Sequence, residues 1–342
     1  MKKILLRVVL PLAVVAAVFA GVSVWNKYYD RRMPNFSRLS EFYVYPEMTS
    51  EDVLGYITDS CSVKCKASLK RAFESEVSGR VVPGHYTISP SNSSTYVARM
   101  VSHGWQTPVK LVLSGTMRLQ SGLARKISNQ MMLDSADVIN ALRDSALLAS
   151  YGFDRKDVFA LFVPDSYEIY WTESMKDVLA RQKAAYDAFW TDANKEKARL
   201  LGLSMIEVSI LASIVNGETN YEPEMPSIAG VYLNRLRLGM RLQADPTVAY
   251  CFDYEPARIL KKHLEVDSPF NTYTHAGLPP APICVPTKAA LEAVLNPDRH
   301  GYLYFCASPD FNGTHRFATT YGEHMRNANE FQRALSAMMR SR

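Results

Sequence analysis

Ile206-Glu207-Val208-Ser209-Ile210-Leu211-Ala212-Ser213-Ile214-Val215-Asn216-Gly217-Glu218-Thr219 is the stretch on which the reading of this chain turns. Ile210 or Leu211, Ile214 and Glu218 recur three or four apart, so a helix here places them on one apolar face. A carboxyl group at the end of such a face leaves water for apolar walls, which favours its protonated form and raises its pKa. A general acid for glycosidic cleavage needs that state near neutral pH. A helix-terminal Glu that reaches solvent or pairs with an arginine fits the same spacing. The surrounding sequence separates the two readings.

Downstream, a loop leads to a second helix from about Pro226 to Gly239, with Pro near its start and Gly at its end. Met240 to Thr247 is predicted to be extended up to Asp245, because Pro246 disfavours helix in the residue before it. Phe270–Tyr273 and the proline-stiffened Gly277–Ile283 read as loops that hold side chains at low entropic cost on binding. Tyr302–Cys306 reads as a buried strand in a hairpin with Thr314–Thr319, and Glu323–Met339 as a closing helix. With Glu218 this third gathers Asn234, Arg235, Gln243, Asp245, Asn271, Tyr273, His315 and His324. Amides, carboxylates and flat rings equip a sugar-binding groove. Plainer roles fit too: Asn234 holding a loop, Asp245 capping a turn before Pro246, Arg235 neutralising a carboxylate such as Glu218.

Upstream, Val109–Leu113 alternates as a half-buried strand. Leu119–Leu148 is helical in pattern, and Phe159–Trp171 is aromatic-rich with a turn at Val163-Pro164-Asp165-Ser166. Thr172–Ala198 reads as one long charged helix packing through Val178, Tyr186 and Phe189. Residues 40–104 form a compact α/β unit. Phe42–Tyr45 is a strand, Thr49-Ser50-Glu51-Asp52 opens a helix, Ser68–Phe73 is a second, Gly84–Pro90 a turn and strand, and Thr95–Val101 a helix stopped by Gly104. Strand, helix, helix, strand is the order of a LysM-like module, a binder of amino-sugar polymers; a structural spacer fits the same order.

At the N-terminus, residues 1–7 form a short basic tail and Val8 to Trp25 carries no charge. About 20 mainly apolar residues cross a hydrocarbon core, so 8–25 suffices as a transmembrane anchor, with Trp25, Tyr28 and Tyr29 at the far interface. A cleaved signal peptide ending at Val18-Phe19-Ala20 is the rival reading. Either way the bulk of the chain lies outside the cytoplasm. Residues 26–39 are polar and read as a linker.

A chain of 342 residues, 47% hydrophobic and 21% charged, is globular and long enough for two or three packed units. The net charge of +5 is mild, and with no basic stripe it gives no reason to expect nucleic acid. Cys61, Cys65, Cys251, Cys284 and Cys306 have no zinc spacing and read as small buried residues, although Cys61 and Cys65 lie one helical turn apart. The histidines form no His-Glu-x-x-His pattern, so neither metal nor cofactor is expected. The predicted fold class is α+β: an N-terminal transmembrane helix, a LysM-like α/β module, then a mixed α/β catalytic domain over residues 105–342.

Several segments carry a family resemblance. Ala212 to Thr219, Asn234 to Thr247, Asn271-Thr272-Tyr273, Gly277-Leu278-Pro279-Pro280, Tyr302–Phe305 and the His315–His324 stretch together resemble the core of the endolytic murein transglycosylases, the YceG-like family. Order and spacing match from about Ser204 to Asn327, and Pro164-Asp165-Ser166-Tyr167-Glu168 resembles a further element. The resemblance implies a single-pass inner-membrane protein with its catalytic domain in the periplasm. It implies cleavage within glycan strands of nascent peptidoglycan, between N-acetylmuramic acid and N-acetylglucosamine, leaving 1,6-anhydro ends. Penicillin-binding glycan synthases are the partners it implies. The family's catalytic Glu maps onto Glu218. Asn234, Gln243, Asp245, Asn271, Tyr273 and His315 are the substrate-binding candidates. The family often has a second Glu where this chain has Asn216, and Thr where it has Ala244 and Ser166; Asn216 argues against a second essential carboxylate there. Two other functions remain open: a hydrolase using Asp245 as second carboxylate, and a membrane-tethered peptidoglycan-binding scaffold without catalysis.

Overall fold

The computed structural model describes residues 2–115 and 117–340, with side chains from residue 10 onward. The chain forms two units, Met1–Lys110 with Glu168–Glu173, and Leu111–Tyr167 with Ser174–Arg342. Helices and strands mix in the α+β manner predicted.

The first unit begins with α1 (Lys2–Arg32), whose Leu10–Arg32 portion is long and apolar enough to cross a membrane. The predicted linker at 26–39 is corrected here. Its first seven residues, Asn26 to Arg32, continue the helix, and Asp30 receives Arg71 Nε at 2.9 Å and Nη2 at 2.8 Å. Asn35 and Phe36 are fully buried. Polarity misled the sequence reading because Asn35 satisfies itself internally: its Nδ2 donates to Cys65 O and Ser94 Oγ, and its Oδ1 accepts from Cys65 N.

Next come β1 (Ser40–Val44), α2 (Ser50–Ser60), α3 (Lys66–Glu76), β2 (Gly84–Ile88) and α4 (Ser94–His103). Thr49 and Asp52 close a capping box on α2, Ser93 caps α4, and Gly104 ends α4 in the left-handed region at φ 70°. The two strands pair antiparallel, Phe42 opposite Tyr86. Phe36, Phe42, Ile57, Leu69, Tyr86 and Val97 fill the core between strands and helices. Cys61 is buried and Cys65 half-buried, each with a free thiol.

The boundary between the units falls within β3 (Val109–Val112). The predicted helix over Leu119–Leu148 is three: α5 (Gln120–Ser128), α6 (Ser135–Arg143) and α7 (Ser145–Ala149). Asp134 and Asp144 break it by accepting backbone N–H bonds as N-caps of α6 and α7. α8 (Val158–Leu161) and β4 (Ser166–Ile169) follow. The single charged helix predicted over Thr172–Ala198 is α9 (Met175–Phe189) and α10 (Asp192–Leu201), divided at Trp190 and Thr191. Thr191 Oγ1 caps α10 through Asn194 N, and Asn194 Nδ2 returns to Phe189 O at 2.7 Å, so the break carries its own hydrogen bonds.

The remaining elements are α11 (Met205–Glu218), α12 (Met225–Arg237), α13 (Asp245–Tyr250), α14 (Lys288–Leu295), β5 (Tyr304–Ala307), β6 (His315–Ala318) and α15 (Tyr321–Arg340). The extended segment before Pro246 ends at Ala244, and Asp245 already belongs to α13. Pro246 occupies the first turn, where its missing N–H leaves no bond unmade. β5 and β6 form the predicted hairpin, Tyr304 opposite Ala318, but β5 is half-buried, not buried.

Candidate active site

Helix α11 carries Glu218 as its last residue. Ser204 and Glu207 fix its start through a capping box, Glu207 N to Ser204 Oγ at 3.2 Å and Ser204 N to Glu207 Oε2 at 2.8 Å. Every residue from Val208 to Asn216 is buried, so the predicted single apolar face becomes an apolar circumference; α12, α13 and α14 all pack on this helix. Ser209 and Ser213 are tolerated inside because their hydroxyls donate to Met205 O and Ile210 O. Gly217 lets α13 close in: a Cβ there would lie 2.6 Å from Pro246 Cβ. That approach seats Asp245 in the same cleft as Glu218.

Glu218 is half-buried, and the Tyr232 hydroxyl of α12 donates to its Oε1 at 2.5 Å. Burial raises the Glu218 pKa from 4.5 to about 7; the Tyr232 bond pulls it down, the Asp245 charge pushes it up, and the Arg235 charge pulls it down. The negative end of the α11 macrodipole also disfavours the carboxylate. Burial, then the Glu218 charge, drives the Tyr232 phenol well above its ordinary value, so it stays a donor. A carboxyl with a pKa of about 7 is protonated below neutrality and titrates across it, here with one oxygen tethered by Tyr232.

The cleft beside it holds about 370 Å³ and is lined by Tyr232, Gln243, Asp245, Tyr273, Tyr304, His315 and His324 among others. Tyr273 donates to Asp245 Oδ1 at 2.6 Å. Gln243 adopts φ 51°, a left-handed conformation that costs a non-glycine residue roughly 1–2 kcal/mol. Bonds on both sides hold it there, Gln243 N to Thr272 O at 3.2 Å before its Cα and Ala244 N to Thr272 Oγ1 at 3.0 Å after it. His315 Nδ1 lies 2.7 Å from Glu224 Oε2, and its backbone N donates to the other Glu224 oxygen. His324 stacks on Tyr304, and burial lowers its pKa.

Of the sequence candidates, the cleft thus gathers Glu218, Gln243, Asp245, Tyr273 and His315. It leaves out two. Asn234 Nδ2 donates to His300 O and Tyr302 O, holding a loop. Asn271 is fully buried, its Nδ2 on Leu264 O and Val266 O and its Oδ1 accepting from Tyr273 N, so it shapes the turn that presents Tyr273. Arg235 makes no ion pair with Glu218 among the described residues. It donates to Leu303 O, Leu242 O and Arg241 O, with its guanidinium 5.2 Å from the Tyr304 ring centre. Asn216 Oδ1 accepts from Thr287 N at 2.9 Å, a structural bond at the start of α14.

Sequence reasoning missed Tyr232, Glu224 and Tyr304. Tyr232 stands three residues before Arg235 on the same helix, and that spacing is the signal that places both side chains toward one cleft. Among the described residues no group of His, Cys, Asp and Glu converges as metal ligands would.

The family described as YceG-like matches residues 42–330. A Bacillus subtilis (strain 168) protein named endolytic murein transglycosylase is 35% identical over 150 residues, 44% of this chain and 40% of that protein. A protein of the same name from Streptococcus pneumoniae (strain ATCC BAA-255 / R6) is 28% identical over 175 residues, 49% of this chain and 31% of that protein. The chain therefore spans less than half the length of these curated relatives. A crystal structure of a yceG-like protein from Listeria monocytogenes aligns with TM-score 0.58 at 25% identity, covering 84% of this chain and 98% of that one.

Proposed function

This chain belongs to the YceG-like family, and from that premise we propose that it is a membrane-anchored endolytic peptidoglycan transglycosylase with Glu218 as its general acid and base. The observation that carries the proposal is the half-buried Glu218 carboxyl facing a cleft, with its pKa raised to about 7. Ordinary glycosidases place two carboxyl groups across the scissile bond. A lytic enzyme needs one, because the C6 hydroxyl of the muramic acid residue attacks its own C1. Glu218 protonates the leaving glycosidic oxygen; the resulting carboxylate, alone or after attack by the sugar N-acetyl oxygen, takes the proton from O6. One C–O bond breaks and one forms, the proton lost from O6 restores the acid, and no water is consumed. The intramolecular attack supplies the effective molarity that a second protein catalyst would otherwise provide.

Tyr232 holds Glu218 in place, while Asp245 and Tyr273, bonded to each other, and Gln243 form a polar edge for sugar hydroxyls. The β1–α2–α3–β2 arrangement supports a second role for the first unit as a LysM-like holder of the strand. α1, apolar and long, supports anchoring in the inner membrane with the remainder periplasmic; a glycan synthase working beside it belongs to the same reading.

The test is incubation of the protein with uncrosslinked glycan strands and weighing of the products. Products with anhydro ends that are lost by at least roughly a hundredfold in Glu218→Gln are expected, since the amide keeps the shape but has no transferable proton. A two-carboxylate hydrolase using Asp245, which shares the cleft with Glu218, would instead give products heavier by one water.

A further inference from the structure

The second unit contains another cavity, of about 700 Å³, whose chemistry the cleavage step does not use. Arg118, Arg143, Arg155 and Lys156 line it against a single carboxylate, Asp253, and Tyr250 and Phe270 supply flat apolar wall. Among the described residues none of the four cations makes an ion pair. All four side chains are exposed, and Arg118 is steadied over the Tyr254 ring, 4.8 Å from its centre. Gln120 and Ser121 also line the cavity. They open α5, whose start has no side-chain cap, so unpaired N–H groups add to the positive field. A cavity built this way suits a ligand with several negative charges on a partly apolar frame.

Its position identifies that ligand. Helix α13 begins at Asp245 in the catalytic cleft and ends at Tyr250 in the basic cavity; at about 1.5 Å per residue the two ends lie roughly 8 Å apart. A second short connection runs from Phe270 in the cavity to Tyr273 in the cleft. The backbone separation of cleft and cavity is thus shorter than the roughly 13–14 Å that four extended peptide residues span. We infer that it receives the carboxylate-bearing peptide attached to the glycan strand being cut, so that peptide-substituted strands are preferred to bare ones. This rests on the function proposed above, since the peptide is a substituent of that substrate.

Two substrates test it: uncrosslinked strands with peptides intact, and the same strands stripped by an amidase. The expected result is that wild-type protein cuts the first at least roughly tenfold faster, the contribution of about one charge-assisted hydrogen bond. In the triple variant Arg143→Gln, Arg155→Gln, Lys156→Gln the ratio falls toward one. Calorimetry reads the cavity without turnover: Glu218→Gln protein binds a disaccharide-tetrapeptide more tightly than the bare disaccharide, and the triple substitution erases the difference. Equal rates on both strands, or a ratio unchanged in the triple variant, overturns the inference while leaving the proposed reaction standing. If neither strand is cut, the reaction fails, and calorimetry alone decides the cavity. Loss of binding to phosphatidylglycerol vesicles in the triple variant, with no peptide effect, would assign the cavity to a lipid headgroup and equally overturn the inference.

Discussion

The 2.5 Å bond from Tyr232 to Glu218 opposes the burial that keeps the acid protonated. Activity is expected to fall as pH rises through about 7, where Glu218 loses its proton. Removing the Tyr232 hydroxyl removes a contact that lowers the Glu218 pKa, so Tyr232→Phe should move this alkaline limb upward. Asp245→Asn removes a charge that raises it and should move the limb downward; rate–pH profiles of the two variants check both signs. Stability follows the same proton. Because the folded pKa of about 7 exceeds the ordinary 4.5, the folded state binds the proton more tightly, and its contribution is complete below about 4.5 and lost by about 7. At roughly 1.4 kcal/mol per pKa unit, and allowing for partial exposure, about 1–3 kcal/mol should disappear over that range. Denaturant midpoints of Glu218→Gln should lack that part of the slope. Residue identity alone left some roles unreadable. An amide that grips a sugar looks the same in sequence as one that grips a carbonyl, which is why Asn234 and Asn271 were placed in the groove. Tyr232 drew no reading at all, because its helix face also packs inward and a buried Tyr there needs no functional account.

Among the elements, α11 was legible because its apolar run and its terminal Glu agree with one another. Its burial on all sides was not, since apolar period reveals one face and only tertiary neighbours reveal the rest. The breaks at Asp134, Asp144 and Thr191 were hidden for a different reason: the flanking residues are good helix formers, and a capping side chain interrupts them without any Gly or Pro to announce it. The contact of α11 with α13 gives an element-scale prediction. Gly217→Ala puts a methyl 2.6 Å from Pro246 Cβ and 2.9 Å from its Cγ, and both are ring atoms with little freedom to yield. α13 should shift and carry Asp245 with it. A loss of about 1–3 kcal/mol in thermal or denaturant unfolding is expected, with a fall in turnover larger than the fall in substrate binding.

For the molecule as a whole, the α+β class was readable in the sequence, whereas α8, β4, α13 and α14 were not expected and the end of the N-terminal helix was misjudged. Phe36, fully buried, belongs to the core of the first unit. Phe36→Ala should therefore cost about 3–5 kcal/mol, measured by unfolding of a chain lacking residues 1–25; a surface-linker position would lose less than 1. The clamp between Asp30 and Arg71, followed at once by Asn35 and Phe36, leaves no slack between α1 and the unit it leads into. With α1 seated in a bilayer, this unit cannot swing on a leash: tilt of the helix becomes tilt of the unit, and its standoff from the lipid surface is set as if by a ruler.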